Sequence, residues 1–320
     1  MQTKRGAGRV TFVILIAVGA AGLLLSACGG GVDDPANASC RAPRVRWGQT
    51  MAFAHHRQVD LRFTCMGAVQ AGTLYLPPGP GSYPAVVWVH ASGEHTRVTW
   101  GSEVVPFTQA GIAFFSYDKR GVGQSEGQCC PGDSGHFNLL TADAAGAVEA
   151  LRSRPDIEPG QIGLIGPSQA GWIVPGAANE SHAAFVALAS GSTLTVGQND
   201  LYEQLAGGED GPSGMSEEEI AKRLEEAGPS GFDPAPDIER LAVPGLWLYG
   251  TADTQVPPDQ CIAILERLKA EGKDITVATF PGAGHGLLDV PPTDPDALPT
   301  MVRWIAQHVH ANLSDRTLSD

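Results

Sequence analysis

The chain has 320 residues, 42% of them hydrophobic, and a formal net charge of −14. This length suits one large domain or two small ones, each with its own hydrophobic core. The acidic balance and the lack of a basic patch argue against nucleic acid as a partner.

Residues 1–27 are predicted to be an export signal. Three basic residues precede an apolar run at 10–25, which has the length of a signal-peptide core and is short for a membrane span. The segment ends in Leu25-Ser26-Ala27-Cys28, which resembles the lipobox of bacterial lipoproteins. This resemblance implies cleavage before Cys28 and lipidation of its thiol. An ordinary secretory peptide is the alternative.

Either signal predicts an exported protein in an oxidising compartment. With the lipid, the protein would be held on the cell membrane or outer membrane, facing the periplasm or the extracellular side, without a spanning helix. Removing 1–27 leaves 18 basic and 35 acidic residues, a net charge of −17. Residues 28–43, which begin with a stretch rich in Gly, Asp, Pro, Asn and Ala, are predicted to be a flexible tether.

Residues 44–320 are predicted to form one domain. Its first part contains three short β-like runs, Arg44–Ala54, Val59–Cys65 and Ala71–Leu76. The second run alternates apolar and polar residues, as a half-buried strand does, and the third stops at two prolines and a glycine. These runs predict an antiparallel meander at the edge of a sheet.

Strands then alternate with helices. A continuous apolar run, typical of a strand covered on both faces, lies at 85–89. Further strands are predicted at 112–117, 162–165, 183–189, 243–249 and 275–280. Helices are predicted at 103–110, at 139–152, from about 258 to a terminating Gly272, and at about 295–310. This alternation predicts an α/β fold with a mostly parallel central sheet and helices on both faces.

The segment 193–240 interrupts the alternation, since it is long, acidic and rich in Gly and Pro. Inside it, Ser216-Glu217-Glu218-Glu219 is a capping box that predicts the start of a helix. Ile220, Leu224 and Ala227 share one face of that helix. We interpret the segment as a small lid inserted after the 183–189 strand; a disordered surface loop is the alternative.

A candidate nucleophile follows the 162–165 strand. The sequence Gly166-Pro167-Ser168-Gln169-Ala170-Gly171 presents one serine where a strand turns sharply into a small-residue helix, which is typical of a nucleophile elbow. The usual pattern is G-x-S-x-G, and here Ala170 stands in the last position. Ser168 as a plain helix cap is the alternative reading of these residues alone.

A nucleophilic serine needs a base, and the base needs an acid that orients it. Asp253 lies in the loop after the 243–249 strand, and His285 lies between two glycines after the 275–280 strand. The order Ser168, Asp253, His285 is the order of nucleophile-elbow hydrolases, and each residue follows a predicted strand. These three residues are therefore the predicted catalytic triad.

The developing oxyanion needs two N–H donors. Gln169 N–H is the first candidate, because it follows the nucleophile at the start of a helix. The second is expected from the loop His90-Ala91-Ser92-Gly93 after the 85–89 strand, with Ser92 N–H preferred and Ala91 as the alternative. His90 is expected to be structural.

Together with Gln70–Pro77 and Tyr117–Ser125, these motifs resemble the α/β-hydrolase superfamily from about Arg57 to the C-terminal helix. The chain looks most like bacterial serine hydrolases grouped with dienelactone hydrolases and with the catalytic domains of prolyl oligopeptidase-like enzymes. The resemblance implies the α/β-hydrolase fold and an acyl-enzyme mechanism. Dienelactone hydrolases often use a cysteine nucleophile, so their substrate is not implied.

The expected function is hydrolysis of small-molecule carboxylic esters by a serine hydrolase that uses no cofactor. A peptidase, or an amide or thioester hydrolase with the same triad, is the alternative among enzymes. A lipoprotein that keeps the fold as a non-catalytic binding module is the alternative from another class, which Ala91 and Ala170 keep open.

Five cysteines follow Cys28. Cys40 and Cys65 are the first expected disulfide, because both lie in the N-terminal β region. Cys129 and Cys130 would bond each other, or one of them would take Cys40 or Cys65 instead. Cys261 shares a helix face with two leucines and is expected to be a buried free thiol. No Cys/His group has the spacing of zinc ligands, and no catalytic metal is predicted.

Overall fold

A mixed β-sheet runs through the computed structural model, which describes residues 39–97, 101–132 and 134–317. The predicted signal peptide, Cys28 and most of the predicted tether lie outside the described residues. The strands are β1 (Arg44–Trp47), β2 (Met51–Ala52), β3 (Arg57–Cys65), β4 (Ala68–Leu76), β5 (Tyr83–Trp88), β6 (Ala113–Tyr117), β7 (Ile157–Pro167), β8 (Val186–Ala189), β9 (Gly245–Gly250) and β10 (Ile275–Phe280).

The helices are α1 (Gly101–Gln109), α2 (Ser134–Arg152), α3 (Ala170–Ser181), α4 (Val196–Ala206), α5 (Glu217–Ala227), α6 (Ala235–Arg240), α7 (Pro258–Ala270) and α8 (Ala297–Thr317). A short 3-10 turn, Gly208–Asp210, follows α4. None of the helices in the described ranges is long and apolar enough to cross a membrane.

The strand order in the sheet is β1-β3-β4-β6-β5-β7-β8-β9-β10, and β2 pairs with β3. The N-terminal strands pair antiparallel as far as the β4–β6 contact, and every pair from β6–β5 to β9–β10 is parallel. This arrangement confirms the predicted fold class and the antiparallel N-terminal strands. Because β5, β7, β9 and β10 are parallel, the loops after them open at the same edge of the sheet.

Two hydrophobic cores lie on opposite faces of the sheet. Successive residues of the parallel strands alternate between them: Val87 and Leu164 belong to the core with α2, α3 and α7, and Val86 and Ile165 belong to the core with α1 and α8. A strand with period-two side chains that is covered on both faces must be apolar throughout. This is why the parallel strands read as continuous apolar runs.

The predicted elements are found with shifted ends, and the segment 193–240 holds more helix than expected. Helix α5 begins as predicted, with Ser216 Oγ accepting the N–H of Glu219 at 3.3 Å. Helices α4 and α6 were not predicted. α4 is polar for most of its length, so its apolar periodicity is weak, but Thr195 caps its start and Gly207 its end with a left-handed backbone.

The cysteine predictions agree with the structure. Cys40 and Cys65 are joined, with Cα atoms 5.5 Å apart, and this confirms the first expected disulfide. Cys129 and Cys130 are bonded to each other. Cys261 is a buried free thiol. The Cys40–Cys65 pair packs on Gly146 of α2, where a Cβ would overlap Cys40 Sγ.

Candidate active site

Ser168 lies at the sharp turn between β7 and α3. Its φ is +54°, in the left-handed region that a residue with a side chain rarely adopts. The turn is held from both sides, because Ser168 N donates to Ala189 O of β8 at 2.9 Å and Ser168 O accepts from Gly171 N at 2.9 Å. Strain of this kind persists only where the surrounding fold imposes it, and it is found at functional sites.

The residues around Ser168 must be small, and the structure shows which of them must be glycine. A Cβ at Gly166 would overlap the carbonyl of Val89, so this position admits no side chain. Ala170, the departure from the usual elbow pattern, is fully buried without disturbing the turn. The backbone that leaves no room for a side chain on this side of Ser168 lies against Gly171, where a Cβ would be 2.6 Å from Ser192 N.

Asp253 and His285 are hydrogen-bonded to each other. His285 Nδ1 lies 2.9 Å from Asp253 Oδ2 and 3.1 Å from Oδ1, and the carboxylate is buried. Asp253 Oδ1 also accepts the N–H groups of Gln255 and Val256, at 2.8 and 2.9 Å. A carboxylate fixed in this way accepts a hydrogen bond from Nδ1–H, which leaves Nε2 of the neutral ring as an acceptor.

A cavity of about 500 Å³ brings the predicted site residues together. It is lined by Ser168, His285, Gln169, Ser92 and Ala91, among others. The described residues form no hydrogen bond between the Ser168 hydroxyl and the His285 ring. Such bonds are often long in hydrolases without substrate and tighten when the substrate binds.

The predicted oxyanion donors are available on the cavity wall. Within the described part of the chain, the N–H groups of Ser92, Ala91 and Gln169 donate no hydrogen bond. Gln169 immediately precedes α3, so the helix N-terminus also favours negative charge there. The choice between Ser92 and Ala91 stays as it was predicted, since both N–H groups are free.

Lys119, a buried lysine that the sequence analysis did not single out, links the loop that carries Ser92 to the side chain of Gln169. Lys119 Nζ donates to Ala91 O at 2.8 Å, to Gly93 O at 3.0 Å and to the side-chain Oε1 of Gln169 at 2.7 Å. Burial lowers the pKa of Lys119 to about 8. The lysine follows β6, whose parallel neighbour is β5, so the sheet brings it to the loop after β5.

Two histidines at the oxyanion loop are hydrogen-bonded to backbone carbonyls. His90 is buried, its Nε2 bonds the carbonyl of Tyr117, and burial lowers its pKa to about 3, so it is uncharged at neutral pH. His95 stacks on it with ring centroids 5.5 Å apart, and its Nε2 bonds Ser92 O at 2.7 Å. The expectation that His90 is structural agrees with these contacts.

Helix α4 forms one wall of the cavity and is docked on the loop that carries Asp253. Tyr202 OH donates to Asp253 O at 2.7 Å, and Asn199 Nδ2 donates to Gln255 O at 3.1 Å. Just past α4, Gly208 O accepts from Thr254 Oγ1 at 2.7 Å. The sequence analysis named no residue of α4. Thr195 and Gly207 signal its ends, but nothing local shows where it packs.

A set of side chains that could bind a metal ion is not found in the described residues. In the described ranges, no group of three or more His, Cys, Asp or Glu side chains is placed to hold a metal ion.

Solved structures similar to this chain share the fold. Acetyl xylan esterase 1 from Thermoanaerobacterium sp. JW/SL YS485 superposes with a TM-score of 0.61 at 18% identity, covering 82% of this chain and 88% of that one. An acetyl xylan esterase from Paenibacillus sp. R4 gives 0.60 at 20% identity, covering 82% and 87%. Identities this low show the α/β-hydrolase fold and nothing finer.

A curated relative covers a smaller region. The thiohydrolase aneE of Aspergillus aculeatus is 35% identical over 117 residues, which is 36% of this chain and 35% of that protein. The match therefore spans about a third of the relative's length.

The family model of the prolyl oligopeptidase family matches residues 100–312. That range is more than half of the chain and contains Ser168, Asp253 and His285. Family, fold and the strained serine beside a histidine–aspartate pair agree with one another: the chain belongs to the prolyl oligopeptidase family and is a serine hydrolase of the α/β-hydrolase fold.

Proposed function

We propose that the chain hydrolyses carboxylic esters of small molecules with Ser168 as nucleophile, His285 as base and Asp253 as the orienting acid. The observation that carries the proposal is that His285, hydrogen-bonded to the buried Asp253, lines one cavity with a serine held at positive φ. His285 Nε2 and the N–H groups of Gln169 and Ser92, which have no hydrogen-bond partner among the described residues, supply the remaining groups that acyl transfer requires.

The reaction follows from these positions. Ser168 Oγ attacks the ester carbonyl carbon while its proton passes to His285 Nε2. The carbonyl electrons move to the oxygen, which the N–H groups of Gln169 and Ser92 stabilise. Collapse of this intermediate breaks the bond to the alcohol, which leaves with the proton from His285. A water molecule then gives one proton to His285 and attacks the acyl-enzyme carbonyl. Collapse of this second intermediate breaks the bond to Ser168 Oγ, which takes the proton back from His285 as the acid leaves.

Replacing the nucleophile tests the proposal. Ser168→Ala should lower kcat/KM for p-nitrophenyl butyrate by about 10⁴- to 10⁶-fold and abolish labelling by a fluorophosphonate probe. Ser153→Ala is the matched control, because among the described residues the hydroxyl of this exposed serine bonds only Ala150 O, and Ser153 does not line the cavity. Circular dichroism would show that both variants fold. Turnover by folded Ser168→Ala at the wild-type rate would refute the assignment.

Thioesters are the second candidate substrates. The similarity to a thiohydrolase favours them, and the same triad and donors serve both acyl transfers. A pair of substrates with one acyl group, as an oxygen ester and as a sulfur ester, separates the two candidates. We expect the oxygen ester to have the higher kcat/KM; a preference for the thioester of tenfold or more would favour thioester hydrolysis instead.

A further inference from the structure

Carboxylates crowd the cavity that holds Ser168. Asp200, Glu203, Glu209 and Asp289 line it, whereas no lysine or arginine does among the described residues. Within the same part of the chain, none of the four side chains forms an ion pair.

Helix α4 supplies two of these four carboxylates, Asp200 and Glu203. Val196, Asp200 and Glu203 are spaced four and three residues apart and share one face of the helix with Asn199. Burial and the neighbouring charge of Asp200 raise the pKa of Glu203, while the charge of His285 acts in the opposite direction. A cation beside Asp200 and Glu203 would relieve this repulsion.

Asn199 provides an independent sign of a missing hydrogen-bond donor. The side chain is 5% exposed and lines the cavity. Its Nδ2 is engaged by Gln255 O, but its Oδ1 is buried and accepts no hydrogen bond from any described residue. An unsatisfied buried acceptor is costly, so a ligand that donates an N–H there gains more than it would from solvent-exposed groups.

We propose that the cavity selects substrates with a protonated amino group, which lies against Asp200 and Glu203 and donates to Asn199 Oδ1. The inference rests on the proposed ester hydrolysis and adds the substrate class to it. Anionic substrates are disfavoured by the same charges, since like charges a few ångströms apart repel one another.

Three p-nitrophenyl esters of nearly equal length test the charge preference. They are the 6-aminohexanoate, which carries an ammonium group, the heptanoate, which is neutral, and the hydrogen adipate, which carries a carboxylate. At low ionic strength we expect kcat/KM to fall in that order, by about tenfold at each step. Adding 0.5 M NaCl should narrow the differences, because salt screens partly exposed charges.

A double variant assigns the preference to α4. Asp200→Asn with Glu203→Gln should reduce the ratio of kcat/KM for the aminohexanoate over the heptanoate to about twofold. The ratio is the readout because any effect of Glu203 on His285 acts on both esters. The matched control, Glu225→Gln with Glu226→Gln on α5, removes two exposed charges outside the cavity and should leave the ratio unchanged.

The outcomes separate this inference from the proposed function. Equal kcat/KM for the three esters, with activity lost in Ser168→Ala, would overturn the charge preference and leave ester hydrolysis standing. A preference unaffected by the α4 double variant would also overturn it. If the wild type hydrolysed none of the three esters, ester hydrolysis would fail, and the inference would fail with it.

Discussion

Replacing Lys119 by methionine tests whether the buried amine holds the oxyanion donors in place. The side chain makes three hydrogen bonds, each worth about 1.5 kcal/mol at the low end for a charged donor. Against this, burial lowers the lysine pKa from 10.5 to about 8, a cost of about 3 kcal/mol for the charged form. The two effects nearly cancel, so Lys119→Met should lower the free energy of unfolding by only about 1–2 kcal/mol.

Activity should respond more strongly than stability. Without Lys119, nothing links Ala91 O and Gly93 O to the Gln169 side chain, and the two oxyanion donors lose their fixed separation. Deleting one such donor outright costs about 10²- to 10³-fold in kcat, so misplacing one should cost about 10- to 100-fold. The readout is kcat/KM for p-nitrophenyl butyrate, beside urea unfolding of the same variant.

The pH dependence separates this positioning role from a packing role. Above about pH 8 the folded protein loses the Lys119 proton and one of three donors, so wild-type kcat/KM should fall there. Between about pH 8 and 10.5 the unfolded chain binds more protons at this residue than the folded one, so its contribution to stability rises with pH. With rising pH, kcat/KM therefore falls while the contribution of Lys119 to the free energy of unfolding rises.

Lys119→Met should lack the alkaline fall in activity, whereas Lys269→Met, which removes an exposed lysine, should keep it. Gln169→Leu, which removes one of the three contacts and keeps the backbone N–H, should lower kcat/KM by less than Lys119→Met does. A folded Lys119→Met variant with kcat/KM within twofold of wild type and an unchanged pH profile would refute the reasoning.

Two further changes test the acid and the disulfide. In Asp253→Asn, Oδ1 can keep its bonds to the N–H groups of Gln255 and Val256, which turns the amide NH₂ toward His285 Nδ1 and forces the wrong tautomer of the ring. We expect kcat to fall about 10⁴-fold while the fold stays intact. A fall of less than tenfold in steady-state kinetics would contradict the triad. The double variant Cys40→Ser with Cys65→Ser removes the disulfide between residues 25 positions apart in the sequence. It should lower the free energy of unfolding, measured in urea, by about 3 kcal/mol. An unchanged unfolding transition would show that the bond contributes nothing to stability.

The sequence by itself determined the order of the strands and helices along the chain and the polar residues that follow the strands. A strand covered on both faces must be apolar, so β5, β7 and β9 were visible as apolar runs. The edge strand β10 is less buried and contains two threonines. Ser168, Asp253 and His285 were visible as the polar residues that follow β7, β9 and β10. Glycine and small residues around Ser168 were visible for a similar reason, because a turn at positive φ excludes bulk. The predicted export signal and Cys28 also depend on the sequence alone.

Only the tertiary structure decided which distant residues meet the reacting groups. Lys119 reaches the oxyanion loop because β6 pairs with β5, and strand order is a long-range property that no local pattern encodes. Asn199, Asp200 and Glu203 face Ser168 because Tyr202 and Thr254 dock the α4 segment on the Asp253 loop. A polar helix carries little hydrophobic periodicity, so sequence pattern could show neither that α4 exists nor which face of it meets the cavity.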